Sequence, residues 1–279
     1  MKKIYFILAS LVILALATVG CGGGADKKQD AKPAQKTEQK ATKLKVGATP
    51  VPHAEVLNAV KPLLAKEGIE LTVVEFSDYV QPNLATNDKE LDANYFQHLP
   101  YLENFTKEHQ NVKLVSAAGI HIEPMGVYSR KVKKLDELKT GASVAIPNDP
   151  TNGGRALLLL QRAGVIKLKK TSVDLSVQDI ADNPKELKIQ ELEAAQVPRS
   201  LDDVDAAVIN TNFAMQANLV PTKDAIVIED GSSPYVNIVA VRTGDEKRPE
   251  IVALCKALQS QDAKKFFQDK YKGAVVPTF

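Results

Sequence analysis

The chain has no tryptophan, only two cysteines, and 5% aromatic residues. Two cysteines cannot staple a disulfide scaffold. The longest apolar run, Ile4 to Ala17, is interrupted only by Ser10 and the Tyr5 hydroxyl. It falls short of the ~20 residues that span a bilayer, which excludes a polytopic membrane protein. Catalytic signatures are missing too: there is no GxSxG elbow, no GxxxxGK[ST] loop, no GxGxxG and no HExxH. Without a Walker loop the chain is not the ATPase of a transporter. Strong charge is also missing, the formal net charge being +2.

What is present is ordinary in bulk and uneven in layout. The 279 residues are 44% hydrophobic and 25% charged, which suits one large domain or two lobes of ~100–150 residues. Residues 22–43 carry six lysines against three acids. From Leu44 onward, 28 basic residues face 31 acidic ones. A slightly acidic body lacks the clustered basic face that nucleic-acid binding needs.

The N-terminus reads as an address. Met1-Lys2-Lys3 and the apolar run form a signal peptide over 1–20. Thr18-Val19-Gly20-Cys21 then resembles a lipobox, which makes Cys21 the expected lipid attachment point. Residues 21–43 lack apolar periodicity and read as a flexible tether. The predicted location is therefore the extracytoplasmic face of the cell membrane, held by the lipid. Cys255 lies in a helical pattern, Ile251 to Leu258, and reads as a structural thiol.

The body alternates strand and helix. Leu44–Ala48 is a strand, His53 to Lys66 a helix with apolar positions at helical spacing, and Leu71–Phe76 the next strand. This βαβ unit predicts a parallel sheet. Further strands are expected at Asn111–Ser116, Ser143–Ile146, Lys188–Leu192 and Ala206–Ile209. Helices are expected at Gly154–Ala163 and, as one long element, at Pro249–Gln268. The stretches 91–96 and 201–210 both run from acids through a short strand to polar or aromatic residues. Such strand ends meet at a cleft in open α/β sheets. The expected fold is α/β and two-lobed, with residues 44–128 plus 239–279 in lobe 1 and 129–238 in lobe 2.

Three groups of residues are candidates for binding. Pro147 to Arg155 links a strand to an apolar helix. Thr151 or Asn152 is a possible helix cap, and Arg155 a bidentate partner for a carboxylate. Phe76, Tyr79, Tyr95, Phe96 and His98 gather aromatic rings near two strand ends, where an apolar ligand side chain fits. Asn210 and Asn237 offer carbonyl oxygens to an ammonium. His121 and Glu123 share a strand face, and His98, His121 and an acid form a conceivable zinc set. No histidine spacing is that of a metal site, so no metal and no cofactor is expected.

These blocks resemble the methionine-binding lipoproteins, the solute receptors of methionine ABC importers. The resemblance runs from Leu44 to the C-terminus. It rests on residues 47–55, 76–83, 92–102, 147–157, 198–203, 209–212 and 233–237. It implies the two-lobed periplasmic-binding type II fold with the ligand between the lobes. It implies that Arg155 pairs with the ligand carboxylate with Asn152 nearby, and that Asn210 and Asn237 hold the polar end. Phe76, Tyr79, Tyr95, Phe96 and His98 would surround the thioether. Phe213 stands where the family often has tyrosine. The implied partners are methionine, the permease and its ATPase, and no bond-making is implied. Some relatives resemble this pattern and take a methionine-containing dipeptide such as Gly-Met. A metal receptor and an enzyme acting on amino-acid derivatives are the remaining alternatives.

Overall fold

The structure is a computed structural model, described here over residues 41–279 except 173, 174 and 232. The signal peptide, Cys21 and nearly all of the tether lie outside the described residues. No helix among the described residues is long and apolar enough to cross a membrane.

Two sheets organise the body. The first has six strands in the order Val276–Pro277, Leu114–Ile122, Val236–Arg242, Ala93–His98, Thr42–Ala48 and Ile69–Glu75. Thr42–Ala48 pairs in parallel with both Ile69–Glu75 and Ala93–His98, as a βαβ unit requires. Val236–Arg242 is inserted antiparallel between Ala93–His98 and Leu114–Ile122, so the sheet is mixed rather than purely parallel. The helix Glu55–Lys66 covers this sheet with Val56, Leu57, Val60 and Leu64, all buried.

The second sheet has five strands in the order Val227–Ile228, Gly126–Tyr128, Ala206–Ile209, Ser143–Pro147 and Lys188–Leu192. Its core is separate and is built on Val144, Ile146, Leu157 and Leu160. The chain passes from the first sheet to the second between Ile122 and Gly126, and returns between Ile228 and Val236. The sequence reading puts these passages near Tyr128 and Ile238. Gly126–Tyr128 is already paired with Ala206–Ile209, and Val236 already with Ile122. Gly126 is required there, because a Cβ on it would lie 2.9 Å from the Tyr128 ring.

Two helices differ from expectation. The helix read as Gly154–Ala163 starts at Pro150, with Asp149 as its cap. Pro fits the first turn, where its missing N–H removes no helical bond. Arg155 therefore sits in the second turn, not at the start. The element read as Pro249–Gln268 is two helices, Pro249–Leu258 and Gln261–Tyr271. Ser260 restarts the chain by accepting from Ala263 N at 3.1 Å. Cys255 lies in the first of them, and burial pushes its thiol up to about 11, as suits an unreactive structural group.

Candidate ligand-binding site

The site grows from the cap of the helix Pro150–Arg162. Asp149 Oδ1 accepts from Asn152 N at 2.9 Å and from Thr151 Oγ1 at 2.9 Å. Both Asp149 oxygens also accept from Asn152 Nδ2 at 3.0 Å. A carboxylate only accepts, so the Asn152 amide must turn its nitrogen to Asp149 and its oxygen away. That oxygen receives Asn210 Nδ2 at 2.8 Å and His98 Nε2 at 3.1 Å. The orientation of Asn210 follows: its Oδ1 faces elsewhere and has no hydrogen-bond partner, although the residue is 7% exposed.

The His98 tautomer is fixed by the same chain of bonds. Nδ1 accepts from Tyr101 N at 3.1 Å, so Nε2 carries the proton given to Asn152. Burial, with the Arg155 charge adding to it, pushes His98 titration down to about 3 from 6.5. As pH falls, the unfolded chain takes up this proton first. Stability is expected to be full above pH 6.5 and to fall between pH 6.5 and 3. The slope is at most about 1.4 kcal/mol per pH unit for one proton. Thermal melts across that range check this, and His98→Gln should show a shallower dependence.

Arg155 is 3% exposed and already paired. Its Nε donates to Glu229 Oε1 at 2.9 Å and Oε2 at 3.1 Å, and its Nη2 to Glu229 Oε2 at 2.5 Å. Nη2 also donates to the Glu123 carbonyl at 2.7 Å, and the guanidinium lies 4.3 Å from the Tyr235 ring centre. Nη1 makes none of these bonds. Glu229 in turn accepts from Met125 N at 2.9 Å, which ties the cation to the passage between the sheets. Gly153 allows the close approach of helix and strand end, because a Cβ there would lie 2.9 Å from the Pro147 carbonyl.

An aromatic wall faces these polar groups. Tyr79 lies 5.7 Å from Phe96 and 4.8 Å from Phe213, ring centre to ring centre. Its hydroxyl donates to Asn212 Oδ1 at 2.6 Å, which leaves Asn212 Nδ2 buried and without a partner. Tyr79 and Phe96 belong to the first half of the body, Asn212 and Phe213 to the second, so these contacts bridge the two sheets. A buried amide pair ties Gln97 to the helix Gln81–Asn87. Asn83 Nδ2 donates to Gln97 Oε1 at 3.0 Å, and Gln97 Nε2 returns a bond to Asn83 Oδ1 at 2.6 Å.

The cavity enclosed in this way is lined by Tyr79, Phe96, His98, Asn152, Arg155, Asn210 and Asn237 among the sequence candidates. Phe76 and Tyr95 lie outside it. Tyr95 and Phe96 are neighbours on one strand, so their side chains leave opposite faces. Tyr95 points behind the cavity and meets His121 Nδ1 at 2.5 Å. Phe76 packs beside Gly47 and Leu91. Gln97, Tyr101, Glu123, Thr211 and Asn212 also line the cavity and are not among the ligand-binding candidates of the sequence. Asn212 stands in the same short run as Asn210. Tyr101 is three residues past His98, which caps the helix Leu99–Glu108.

His98 is not part of a zinc set, since Asn152 and Tyr101 take both of its nitrogens. His121 and Glu123 meet His53 instead, with potential ligand atoms within 4.8 Å of one another. Both ring nitrogens of each histidine in this trio already have partners. Glu123 Oε1 lies 2.8 Å from His121 Nε2 and 3.1 Å from His53 Nε2, and Thr49 Oγ1 lies 2.7 Å from His53 Nδ1.

The family model described as NlpA lipoprotein matches residues 44–279. This chain belongs to the NlpA lipoprotein family. Among curated NlpA relatives it is 40% identical to the methionine-binding lipoprotein MetQ of Bacillus subtilis, over 99% of both chains. It is 42% identical to the D-methionine-binding lipoprotein MetQ of Escherichia coli K12, over 97% of this chain and 96% of that one. Among solved structures, a nutrient-binding protein from Burkholderia cenocepacia bound to methionine is 52% identical. It superposes with a TM-score of 0.82, covering 85% of this chain and 100% of that one. The two-lobed α/β architecture is thus that of the NlpA lipoproteins.

Proposed function

We propose that this lipoprotein captures methionine in the cavity between its two sheets and delivers it to an ABC importer. One observation carries this reading. Around one cavity stand the Arg155 cation, the unpartnered donor Asn212 Nδ2 and the unpartnered acceptor Asn210 Oδ1. A zwitterionic amino acid supplies the complement of both. The aromatic wall of Tyr79 and Phe96 suits a thioether, whose sulfur is favoured beside ring edges. The methionine bound to the Burkholderia relative and the names of the MetQ relatives support the same ligand.

Delivery calls for opening and closing rather than bond-making. The two halves open about the passages at 123–125 and 229–235, and the Tyr79–Asn212 bond and Tyr79–Phe213 contact form when they close. The lipid at Cys21 and the tether keep this motion at the extracytoplasmic face, beside the permease. Tyr79→Phe removes one cross-cleft bond of ~0.5–1.5 kcal/mol net. The expected result is a loss of methionine affinity of about 2- to 10-fold.

The test is calorimetry on the chain purified in detergent, unfolded to strip carried-over ligand, and refolded. L-methionine, D-methionine, Gly-Met and Zn²⁺ are titrated separately. Saturable heat with a methionine enantiomer supports the proposal. Heat with Zn²⁺ and none with either methionine would sink it.

A further inference from the structure

Arg155 has a second neighbourhood, away from the ligand cavity. A further cavity of about 310 Å³ is lined by Leu158, Glu229, Pro234 and Tyr235, among others. Among the described residues, Arg155 is the one lining residue that the two cavities share. Tyr235 is 5% exposed and does not line the ligand cavity. It meets the guanidinium from outside that cavity.

The partners of Arg155 sit on the passages between the sheets, and they belong to different halves. Glu229 directly follows the strand Val227–Ile228. It is bonded in both directions to Met125, which adjoins Gly126 of the same sheet. Glu229 therefore travels with the second sheet, as Arg155 does. Glu123 directly follows Ile122, and Tyr235 directly precedes Val236. Ile122 and Val236 are register partners in the first sheet. Glu123 and Tyr235 thus flank the end of one antiparallel pair and travel with the first sheet. Two contacts of the guanidinium therefore join the halves. One is its bond to the Glu123 carbonyl at 2.7 Å, the other its place over the Tyr235 ring, 4.3 Å from the centre.

The ring is well set to hold a cation. The separation is inside the ~6 Å reach of a cation–π contact, and such contacts are strongest where water is excluded. Burial pushes the Tyr235 phenol up, so it stays neutral and the attraction comes from the π face. His98, from the first sheet, packs against the same ring at 5.0 Å between centres and 63° between planes, which fixes how the ring is turned.

We propose that Tyr235 is a positioning residue that clasps the closed state: its π face holds Arg155 across the hinge, and the strength of that contact sets how fast bound ligand is released. This rests on the reading of the protein as a receptor that closes around methionine, and adds what keeps it closed.

The test is the rate at which the full chain, loaded with labelled L-methionine, releases it into an excess of unlabelled methionine. Tyr235→Phe keeps the ring and is expected to stay within about threefold of wild type. Tyr235→Leu removes the π face and should release about 3- to 30-fold faster. Replacing Tyr235 by phenylalanines that carry one, two or three ring fluorines separates the π face from packing. Fluorine withdraws electrons from the face and leaves the ring's size nearly unchanged. Release should quicken with each fluorine, whereas a packing role would not respond. A fluorine series that releases throughout at the rate of Tyr235→Phe overturns the proposal while leaving methionine capture standing. So does a folded Tyr235→Leu protein that releases as slowly as wild type. Should that variant fail to fold, the fluorine series decides alone. Wild-type protein that retains no labelled methionine overturns the reading of the cavity as a methionine site and this inference with it.

Discussion

Arg155→Ala is expected to weaken methionine binding by about 30- to 1,000-fold, the effect of truncating one partner of a buried charge pair. It should also destabilise the fold. Glu229 would be left buried without its cation, at a cost of roughly 3–5 kcal/mol. For a body of this size each kcal/mol is worth about 2–4 °C in melting temperature. The two effects separate in the double variant Arg155→Leu/Glu229→Leu. Replacing a buried ion pair by apolar side chains of similar size is often neutral. Its melting temperature should therefore return towards wild type while methionine binding stays lost. Calorimetric titration and thermal melts read the two quantities. Full methionine affinity in the double variant would mean that the guanidinium serves only the fold.

Asn152→Ala is the second large effect. Its Oδ1 is the common acceptor for Asn210 Nδ2 at 2.8 Å and His98 Nε2 at 3.1 Å. Removing it leaves two buried donors unpaired, each costing ~1–3 kcal/mol. The bond to His98 crosses the cleft and exists only when the halves are together. Part of the cost therefore falls on ligand affinity, with an expected loss of about 10- to 100-fold. The remainder falls on the second half of the body, where Asn210 follows its strand, and appears in the melting temperature. Asn152→Asp keeps the Oδ1 acceptor but replaces the Nδ2 donor by a second carboxylate oxygen against Asp149, and should bind no better. A variant with unchanged affinity would remove Asn152 from the closing machinery.

Much of this arrangement could be read from the chain. The first strand and helix were legible because Val56, Leu57, Val60 and Leu64 recur at helical spacing and are all buried. The polar residues after strand ends were legible for a topological reason. Asn152 follows the strand Ser143–Pro147, Asn210 follows Ala206–Ile209, and such ends converge on one cleft. What escaped was pairing across long separations. Glu229 lies 74 residues from Arg155 in sequence, and His53 lies 184 from Asn237. No local pattern links either pair. Clustering in sequence groups Tyr95 with Phe96, whereas strand geometry sends neighbours to opposite faces. The single long C-terminal helix is a reading of the same local kind. Both halves are amphipathic, and only the Ser260 cap separates them.

A crystal structure of the chain grown with saturating methionine tests the central claim most directly. The expected result is one methionine in the cavity between the sheets. Its carboxylate should lie toward Arg155 and Asn212, its ammonium toward Asn210, and its sulfur beside Tyr79 and Phe96. A cavity without methionine under those conditions, or methionine bound elsewhere on the molecule, would contradict it.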